Sequence, residues 1–198
     1  MARPRKSDHI KSALLDAGIA AYSEQGYHGT GLKQILDEVK VPKGSFYNYF
    51  ASKEEFTAEI IESYMEGLLV MFDRLVAASN EDPVTTIERV YGLMVAQFEA
   101  HSCTKGCLLG NLAAEIGGNS ELCRVALRNG YEQWQQRFSV LVLKAQEQGL
   151  IRKDLTVEAI CQLYWCAWEG SILKMKMDGD TQSVKETLHL LLRQVLKP

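Results

Sequence analysis

The sequence predicts an all-α fold of about nine helices. Apolar residues recur at helical spacing along nearly the whole chain, capping residues precede these segments, and no convincing strand-like alternation occurs. The 198 residues are 46% hydrophobic and 24% charged, which is typical of a globular protein. No apolar run approaches the roughly 18 residues of a membrane span, and the basic N-terminus lacks the apolar stretch of a signal peptide. We therefore expect a soluble, cytoplasmic protein.

Four helices are predicted in the N-terminal part of the chain. They cover residues 7–26, 30–39, 42–50 and 52–78. Ser7 is a suitable cap for the first helix, and Pro42 suits the first turn of the third because its missing N–H needs no partner there. Ser52 and Glu55 have the spacing of a capping box, which predicts the start of the long fourth helix.

Five further helices are predicted in the remainder. They cover residues 83–101, 104–116, 119–148, 156–178 and a final segment from residue 181. Asp82 and Pro83 mark the start of the first of these helices, and Thr156 the start of the fourth. Gly149 ends the long third helix, since glycine accepts the left-handed conformation common after a helix.

The segments 30–39 and 42–50 have the dimensions of a helix-turn-helix. Helical spacing places two sets of side chains on opposite sides of the second segment. The aromatic set is expected to pack against the preceding helix: Phe46, Tyr49 and Phe50. The polar or small set is expected to face a DNA major groove: Lys43, Gly44, Ser45, Tyr47 and Asn48. We call this second set the reading face; the alternative is a packing helix with an incidental polar side.

Charge is unevenly distributed, although the formal net charge is only -3. Up to Lys53 the chain has eight basic and five acidic residues, a balance of +3, and the remainder has 14 and 20, a balance of -6. A basic first quarter predicts an anion-binding module attached to an acidic body. Arg3, Arg5 and Lys6 would suit a minor-groove arm, and the alternative is a solvated basic tail.

Two runs of sequence carry a family resemblance. They are Thr30-Gly31-Leu32-Lys33-Gln34-Ile35 and Val41-Pro42-Lys43-Gly44-Ser45-Phe46-Tyr47-Asn48-Tyr49-Phe50-Ala51-Ser52-Lys53-Glu54. Together they resemble the DNA-binding signature of the TetR family of transcriptional repressors. The resemblance implies a homodimer on a palindromic operator in double-stranded DNA, with a DNA-binding domain at residues 1–52. It also implies an effector-binding and dimerisation domain at residues 53–198, and release from DNA when an effector binds.

Individual site residues follow from this resemblance by position. It implies phosphate contacts for Thr30 and Lys53 and a groove contact for Lys33, in addition to the reading face, with Tyr49 at its edge. The first turn of a helix also favours a phosphate contact by Lys53, because unpaired amides lie there. One departure is visible: the family often has glycine in the turn where this chain has Lys40, so a left-handed residue there would cost about 1–2 kcal/mol more.

The five cysteines are an odd number without a secretory signal, so we expect reduced thiols. Cys123, Cys161 and Cys166 are interpreted as core residues. Cys107 lies near the start of the helix predicted from residue 104, where amides and the helix dipole favour a thiolate. The spacing of His101, Cys103 and Cys107 matches no established zinc pattern, and we expect no metal site.

The run Lys105-Gly106-Cys107-Leu108 also resembles the N-ethylmaleimide-responsive subgroup of TetR regulators. This resemblance implies that the protein senses electrophiles or oxidants through Cys107, with Cys103 as a second candidate thiol. Lys176 matches a lysine of the same subgroup and is expected to face the thiol.

The alternative effector is a small molecule that binds reversibly in an apolar pocket. The candidate pocket residues are Met65, Leu69, Phe72, Met94, Phe98, Leu112, Trp134 and Trp168, with Asn111, Glu115 and Tyr131 as polar anchors. Apolar residues at such spacing are usually core residues. The last two helices have more apolar surface than one core requires, which predicts a two-fold dimer interface. Its candidate residues are Ala167, Gly170, Ser171, Leu188 and Leu192.

An enzyme that uses Cys107 as nucleophile is the alternative from another functional class. Such an enzyme needs a base, and none of the four histidines is placed in the sequence to form a Cys–His pair. No P-loop or dinucleotide-binding fingerprint occurs, and we expect no cofactor.

Overall fold

The computed structural model describes residues 6–198 of the chain, and the side chains from Asp8 onward. The helices are α1 Lys6–Gly29, α2 Leu32–Val39, α3 Lys43–Phe46, α4 Lys53–Ala77, α5 Pro83–Ala100, α6 Leu108–Ile116, α7 Glu121–Glu147, α8 Val157–Asp178 and α9 Gln182–Leu190. A π-helix, Leu191–Val195, continues α9. Residues 6–198 contain no β-strand, so the all-α prediction is confirmed. In the same range no helix has the length and apolar character needed to cross a membrane.

Predicted caps begin several of these helices. The Ser52 hydroxyl accepts from the Glu55 amide at 3.1 Å, and the Glu55 carboxylate accepts from the Ala51 amide, as expected of a capping box. The Asp82 carboxylate accepts from two amides in the first turn of α5, at 2.9 and 3.0 Å. The Thr156 hydroxyl accepts from the Ala159 amide at 3.1 Å. The order of the helices therefore follows from capping chemistry that is visible in the sequence.

The chain forms two compact units. The first unit contains the described residues up to Gly67 together with Leu108–Gly130, and the second contains Leu68–Cys107 together with Tyr131–Pro198. The domain boundary between residues 52 and 53 stays a prediction. By packing alone, α4 and α7 each contribute residues to both units.

An aromatic cluster forms the core of the first unit. The Phe56 ring lies 4.8 Å from the Phe50 ring and 5.4 Å from the Phe46 ring, between centroids. Tyr22 of α1 contacts Phe56 edge-on, and its hydroxyl lies 3.1 Å from that of Thr57. These contacts join α1 and α4 to α3 and to the turns that follow it. They therefore fix the orientation of α3 within the unit.

A second aromatic cluster forms the core of the other unit. Tyr91 of α5 contacts the rings of Phe138, Tyr164 and Trp168, with centroids 6.1, 4.8 and 4.9 Å away. The Trp134 indole donates to the Tyr91 hydroxyl at 2.9 Å. Tyr91 therefore links α5, α7 and α8 through one buried side chain.

Two helices differ from their predicted extents. α3 ends at Phe46, and the segment to Phe50 continues as turns rather than as an α-helix. α6 begins at Leu108 instead of residue 104, and residues 104–107 are irregular. The Thr104 hydroxyl donates to the His101 carbonyl at 2.8 Å and so does not cap α6. Cys107 therefore immediately precedes the helix rather than lying in its first turn.

Lys40 occupies the left-handed conformation that the sequence resemblance implied for the turn. Its φ and ψ are 58° and 40°, and its amide contacts the last carbonyls of α2. Replacement by glycine removes a cost of about 1–2 kcal/mol in the folded state. Glycine also makes the unfolded chain more flexible, which opposes part of this gain.

We therefore expect Lys40→Gly to raise the free energy of unfolding by about 0.5–1 kcal/mol, measured by denaturant titration. Lys33→Gly, within α2, is the matched control and is expected to lower it by about 0.8–1 kcal/mol. A loss of stability in Lys40→Gly would contradict the assigned backbone strain.

Candidate functional site

The polar side of α3 and the turns that follow it is exposed. Lys43, Gly44 and Asn48 are exposed, and Tyr47 keeps 56% of its surface accessible. Phe46, on the opposite side, has no accessible surface. This arrangement presents a lysine, a tyrosine and an amide on one surface, and these groups bind phosphates and base edges in the major groove.

The remaining residues predicted at this surface differ in accessibility. Lys33 on α2 is exposed, whereas Ser45 and Tyr49 are half-buried. A Cβ added at Gly44 would have no neighbour within 4 Å, so the backbone there is open to a close approach. The proposed arm lies outside the described part of the chain, because Arg3 and Arg5 and the side chain of Lys6 are not covered.

The side chains of Thr30 and Lys53 donate to backbone carbonyls inside the first unit and do not lie on an open surface. Thr30 is 1% exposed, and its hydroxyl donates to the Gly26 carbonyl at 2.7 Å. The Lys53 ammonium donates to the carbonyls of Tyr27 and Thr30 at 2.9 and 3.0 Å, and lies 4.1 Å from the centre of the Tyr27 ring. Burial lowers the pKa of Lys53. Phosphate contacts by these two side chains would require existing hydrogen bonds to break.

The end of α1 is bound by a carboxylate from α6. The Glu115 carboxylate accepts from the His28 amide at 3.0 Å, and the His28 ring nitrogen Nε2 lies 3.3 Å from the Glu115 carbonyl. Gly26, with φ of 71°, interrupts the regular helix here, and a Cβ on it would lie 2.2 Å from the Glu115 carboxylate. Only glycine permits this contact. Glu115 therefore attaches α6 to α1, and it is not an anchor of the predicted pocket.

A small apolar cavity lies in the second unit beside Cys107. Its volume is about 20 Å³. Its lining residues are Leu68, Leu69, Met71, Phe72, Tyr91, Met94, Cys107, Trp134, Trp165 and Trp168. A cavity of this size holds about one water molecule, whereas drug-sized ligands occupy pockets of about 300–1,000 Å³. Large aromatic side chains fill the space that a reversible ligand would need.

Two charged side chains of α8 approach the loop that carries Cys107. The Cys107 thiol donates a hydrogen bond to the Glu169 carboxylate, and the positive charge of Lys176 acts on the same carboxylate. A Cβ added at Gly106 would lie 3.2 Å from the Lys176 amine and 2.8 Å from Ile172. Burial raises the pKa of Glu169 to about 7. The structure thus brings a thiol, an amine and a carboxylate together.

The predicted effector residues are only partly brought together. Leu69, Phe72, Met94, Trp134 and Trp168 line the cavity with Cys107. Phe98 packs on Trp168, with ring centroids 5.7 Å apart, but does not line it. Tyr131 is in the second unit and contacts Trp134 and Trp165, but it does not line the cavity. The other predicted pocket residues belong to the first unit: Met65, Asn111, Leu112 and Glu115. Residues of the site that the sequence did not indicate are Tyr91, Trp165 and Glu169.

The other cysteines have separate environments. Cys103, Cys123 and Cys161 are buried and Cys166 is exposed. Burial raises the pKa of Cys161 to about 12, so its thiol stays protonated at neutral pH. Within residues 6–198, no group of three His, Cys, Asp or Glu side chains is arranged to hold a metal ion.

The exposed side of α8 carries an apolar stripe. Its members recur every three or four residues and are Leu163, Cys166, Gly170, Leu173 and Met177. Leu173 and Met177 are 63% and 83% exposed. Of the residues predicted for a dimer interface, Gly170 is exposed and Ala167 half-buried, whereas the other three are buried within the chain: Ser171, Leu188 and Leu192.

Two family descriptions match the sequence. "Bacterial regulatory proteins, tetR family" matches residues 14–60. "Tetracyclin repressor-like, C-terminal domain" matches residues 83–191, more than half of the chain. The chain belongs to the TetR family. TetR-family proteins are transcriptional regulators, so the chain is a regulator and not an enzyme, and the alternative of a Cys107-dependent enzyme is abandoned.

Curated and solved TetR-family proteins extend the match over most of the chain. The regulator AcuR of Cereibacter sphaeroides is 32% identical over 89% of this chain and 82% of its own length. The repressor NemR of Escherichia coli K12 is 29% identical over 88% of each protein. The E. coli NemR reduced-form crystal structure has a TM-score of 0.84 at 26% identity, over 92% of this chain and 95% of that one. A TetR regulatory protein from Rhodobacter sphaeroides has a TM-score of 0.86 at 30% identity, over 93% and 97%.

The close contact at Gly106 generates a stability prediction. A methyl group on residue 106 would lie 2.8 Å from Ile172 and 2.9 Å from the Lys176 side chain. We expect Gly106→Ala to lower the free energy of unfolding by about 1–3 kcal/mol, because packed neighbours must shift. Gly92→Ala in α5, where an added Cβ meets nothing within 4 Å, is the control and is expected to raise it by about 0.5–1 kcal/mol. Equal effects of the two substitutions would contradict the assigned packing; both are measured by thermal and denaturant unfolding.

Proposed function

We propose that this chain is a homodimeric repressor that binds a palindromic operator and leaves it when an electrophile or oxidant modifies Cys107. DNA binding is supported by the exposed polar surface of α3, which lies opposite a fully buried aromatic core. The protein would act in the cytoplasm, where thiols stay reduced until an effector arrives.

DNA recognition is assigned to the exposed residues around α3. The Lys43 ammonium and the Tyr47 hydroxyl suit phosphate oxygens, and the Asn48 amide suits the edge of an adenine. Lys33 extends the basic surface from α2. Because Lys53 donates to backbone carbonyls at the end of α1, its role is to hold α1 and α4 together beneath this surface.

The charge distribution supports an oriented approach to DNA. In a symmetric dimer, the balances of +3 up to Lys53 and -6 beyond it both double. Phosphates attract the basic end and repel the acidic body, so the reading face leads during encounter.

The size of the cavity favours thiol chemistry over reversible ligand binding. A volume of about 20 Å³ is far below that of a ligand pocket. The Lys176 amine lies beside Gly106, the residue before Cys107, and a nearby positive charge favours the reactive thiolate. One of the similar solved structures is described as the reduced form of NemR, which is consistent with a thiol-based signal in the family.

We assign the transmission of this signal to α6. The helix begins at Leu108, directly after Cys107, and its Glu115 holds the end of α1 through the His28 amide. An adduct on Cys107 enlarges a side chain that is 5% exposed, so the start of α6 must shift to accommodate it. Movement of α6 would pull on α1, which packs beneath the reading face.

The apolar stripe of α8 is assigned to the dimer interface. Exposed Leu173 and Met177 supply apolar area, and Gly170 permits a close approach of two helices. A two-fold axis near these residues would pair each stripe with its copy.

DNA binding is tested with a duplex selected from a randomised pool by the purified protein. We expect affinity to fall steeply with salt. Lys43→Ala should reduce the slope of log K against log salt by about 1.8, because two phosphate contacts are lost per dimer at about 0.9 each. Lys153→Ala, at an exposed lysine of the second unit, is the control and should leave the slope unchanged. Failure to select any duplex, or binding independent of salt, would refute the DNA-binding assignment.

The effector assignment is tested by release of that duplex with N-ethylmaleimide. We expect Cys107→Ser to stay bound at reagent concentrations that release the wild-type protein, because serine does not form the adduct. Cys166→Ser removes the exposed cysteine and should behave as wild type. Normal release of Cys107→Ser would exclude this thiol and would favour Cys103 or a non-covalent effector.

A further inference from the structure

Glu169 is the acidic residue that contacts the Cys107 thiol. It lies on α8 one residue after Trp168, which lines the cavity, and it accepts a hydrogen bond from the Cys107 thiol. Its other side-chain interaction is electrostatic and comes from Lys176, seven residues and thus two turns later on the same helix face. One carboxylate is therefore attached to both members of the thiol–amine pair.

One oxygen of this carboxylate is unsatisfied. Oε1 of Glu169 is enclosed by protein, and within the described part of the chain it has no hydrogen-bond partner. A buried acceptor without a partner costs about 1–3 kcal/mol, and more when it is charged. Such atoms are rare in native proteins, and a chemical role is one explanation for their retention. The Cys107 thiol therefore donates to the other oxygen, and a proton passed along that hydrogen bond would neutralise the carboxyl group and reduce the cost of its unpartnered oxygen.

We propose that Glu169 is the proton acceptor for Cys107 when the thiol adds to an electrophilic alkene, such as an α,β-unsaturated carbonyl compound. This proposal rests on the proposed function of Cys107. The sulfur–carbon bond forms as the thiol proton moves to the Glu169 carboxylate and the alkene electron pair moves onto the carbonyl, giving an enolate. Glu169 then returns the proton to the carbon next to the carbonyl, so that S–H has added across the double bond and no oxidant is needed.

The titratable groups around Glu169 support this role. Cys107 approaches from the loop before α6, Lys176 from α8 itself, and Tyr91 from α5. Burial raises the pKa of Glu169 to about 7, and the thiol hydrogen bond and Lys176 limit this increase. Above this pH the carboxylate is ionised and can take the proton; below it the carboxyl is already protonated. An acceptor is most effective when its pKa is near the working pH.

The cavity wall provides a route for the alkene. Met71 is exposed, and Leu68 and Met94 are half-buried, so this side of the cavity is closest to solvent. Methionine side chains change conformation readily and fill irregular spaces. They would give way to a small planar reagent without rearrangement of the three tryptophans.

The test is the rate of Cys107 alkylation by N-ethylmaleimide between pH 5.5 and pH 9, followed by mass spectrometry of the Cys107 peptide. In the wild-type protein we expect the rate to rise with pH and to level off above about pH 7, as Glu169 ionises. Glu169→Gln should react about 10- to 100-fold more slowly at pH 7.5. Its rate should keep rising with pH, because only the small thiolate fraction then reacts. Glu158→Gln, at an exposed glutamate of α8, should match the wild type.

Two results would overturn the proposal. One is a Glu169→Gln profile with the wild-type shape and rate; the other is faster reaction of Glu169→Gln, which would mean that the carboxylate only suppresses the thiolate. If Glu169→Gln fails to fold, the wild-type protein alone tests the proposal. An alkylation rate that shows no plateau above about pH 7 would then contradict it.

The proposed function fails independently. If the duplex stays bound after complete alkylation of Cys107, the proposed function is wrong. The pH profiles of alkylation would still test the role of Glu169.

Discussion

The contact between Glu115 and the end of α1 is the constraint on which the DNA-binding unit depends. It needs a left-handed glycine at position 26, because any side chain there would collide with the carboxylate. α6, which carries Glu115, begins directly after Cys107. The covalent connection from the thiol to this contact is therefore one helix of nine residues, about 13 Å long. A helix transmits displacement well because its hydrogen bonds resist bending.

Much of the fold was predictable because it depends on local chemistry. Capping by Ser52, Asp82 and Thr156 involves residues two or three positions apart, so their spacing in the sequence is sufficient. α3 and α6 were predicted with wrong extents, because the chain continues as turns after Phe46 and residues 104–107 are irregular. The left-handed conformation of Lys40 was implied by the family resemblance, whereas no pattern in the sequence marked those of Ser102 and Cys103.

The candidate site was predictable only in part, for a related reason. The side of α3 that faces outward follows from helical spacing, and the exposure of Tyr47 agrees with it. Thr30 and Lys53 were expected to face phosphate, but the carbonyls left open at the end of α1 lie closer and bind them. Glu169 was not indicated, because on a helix wheel it resembles any surface glutamate. Its hydrogen-bond partner Cys107 lies 62 positions away in the sequence.

The aromatic filling of the cavity has an evolutionary consequence. Three indole rings, from Trp134, Trp165 and Trp168, occupy the volume that a receptor pocket would use. An apolar cavity of about 150 Å³ left by truncating one large side chain stays dry and accepts a small aromatic guest. The proposed covalent sensor and a receptor for a small apolar molecule would thus differ by one or two substitutions among the indole side chains that fill this cavity. Such substitutions would leave α2 and α3, which carry the proposed DNA contacts, unchanged.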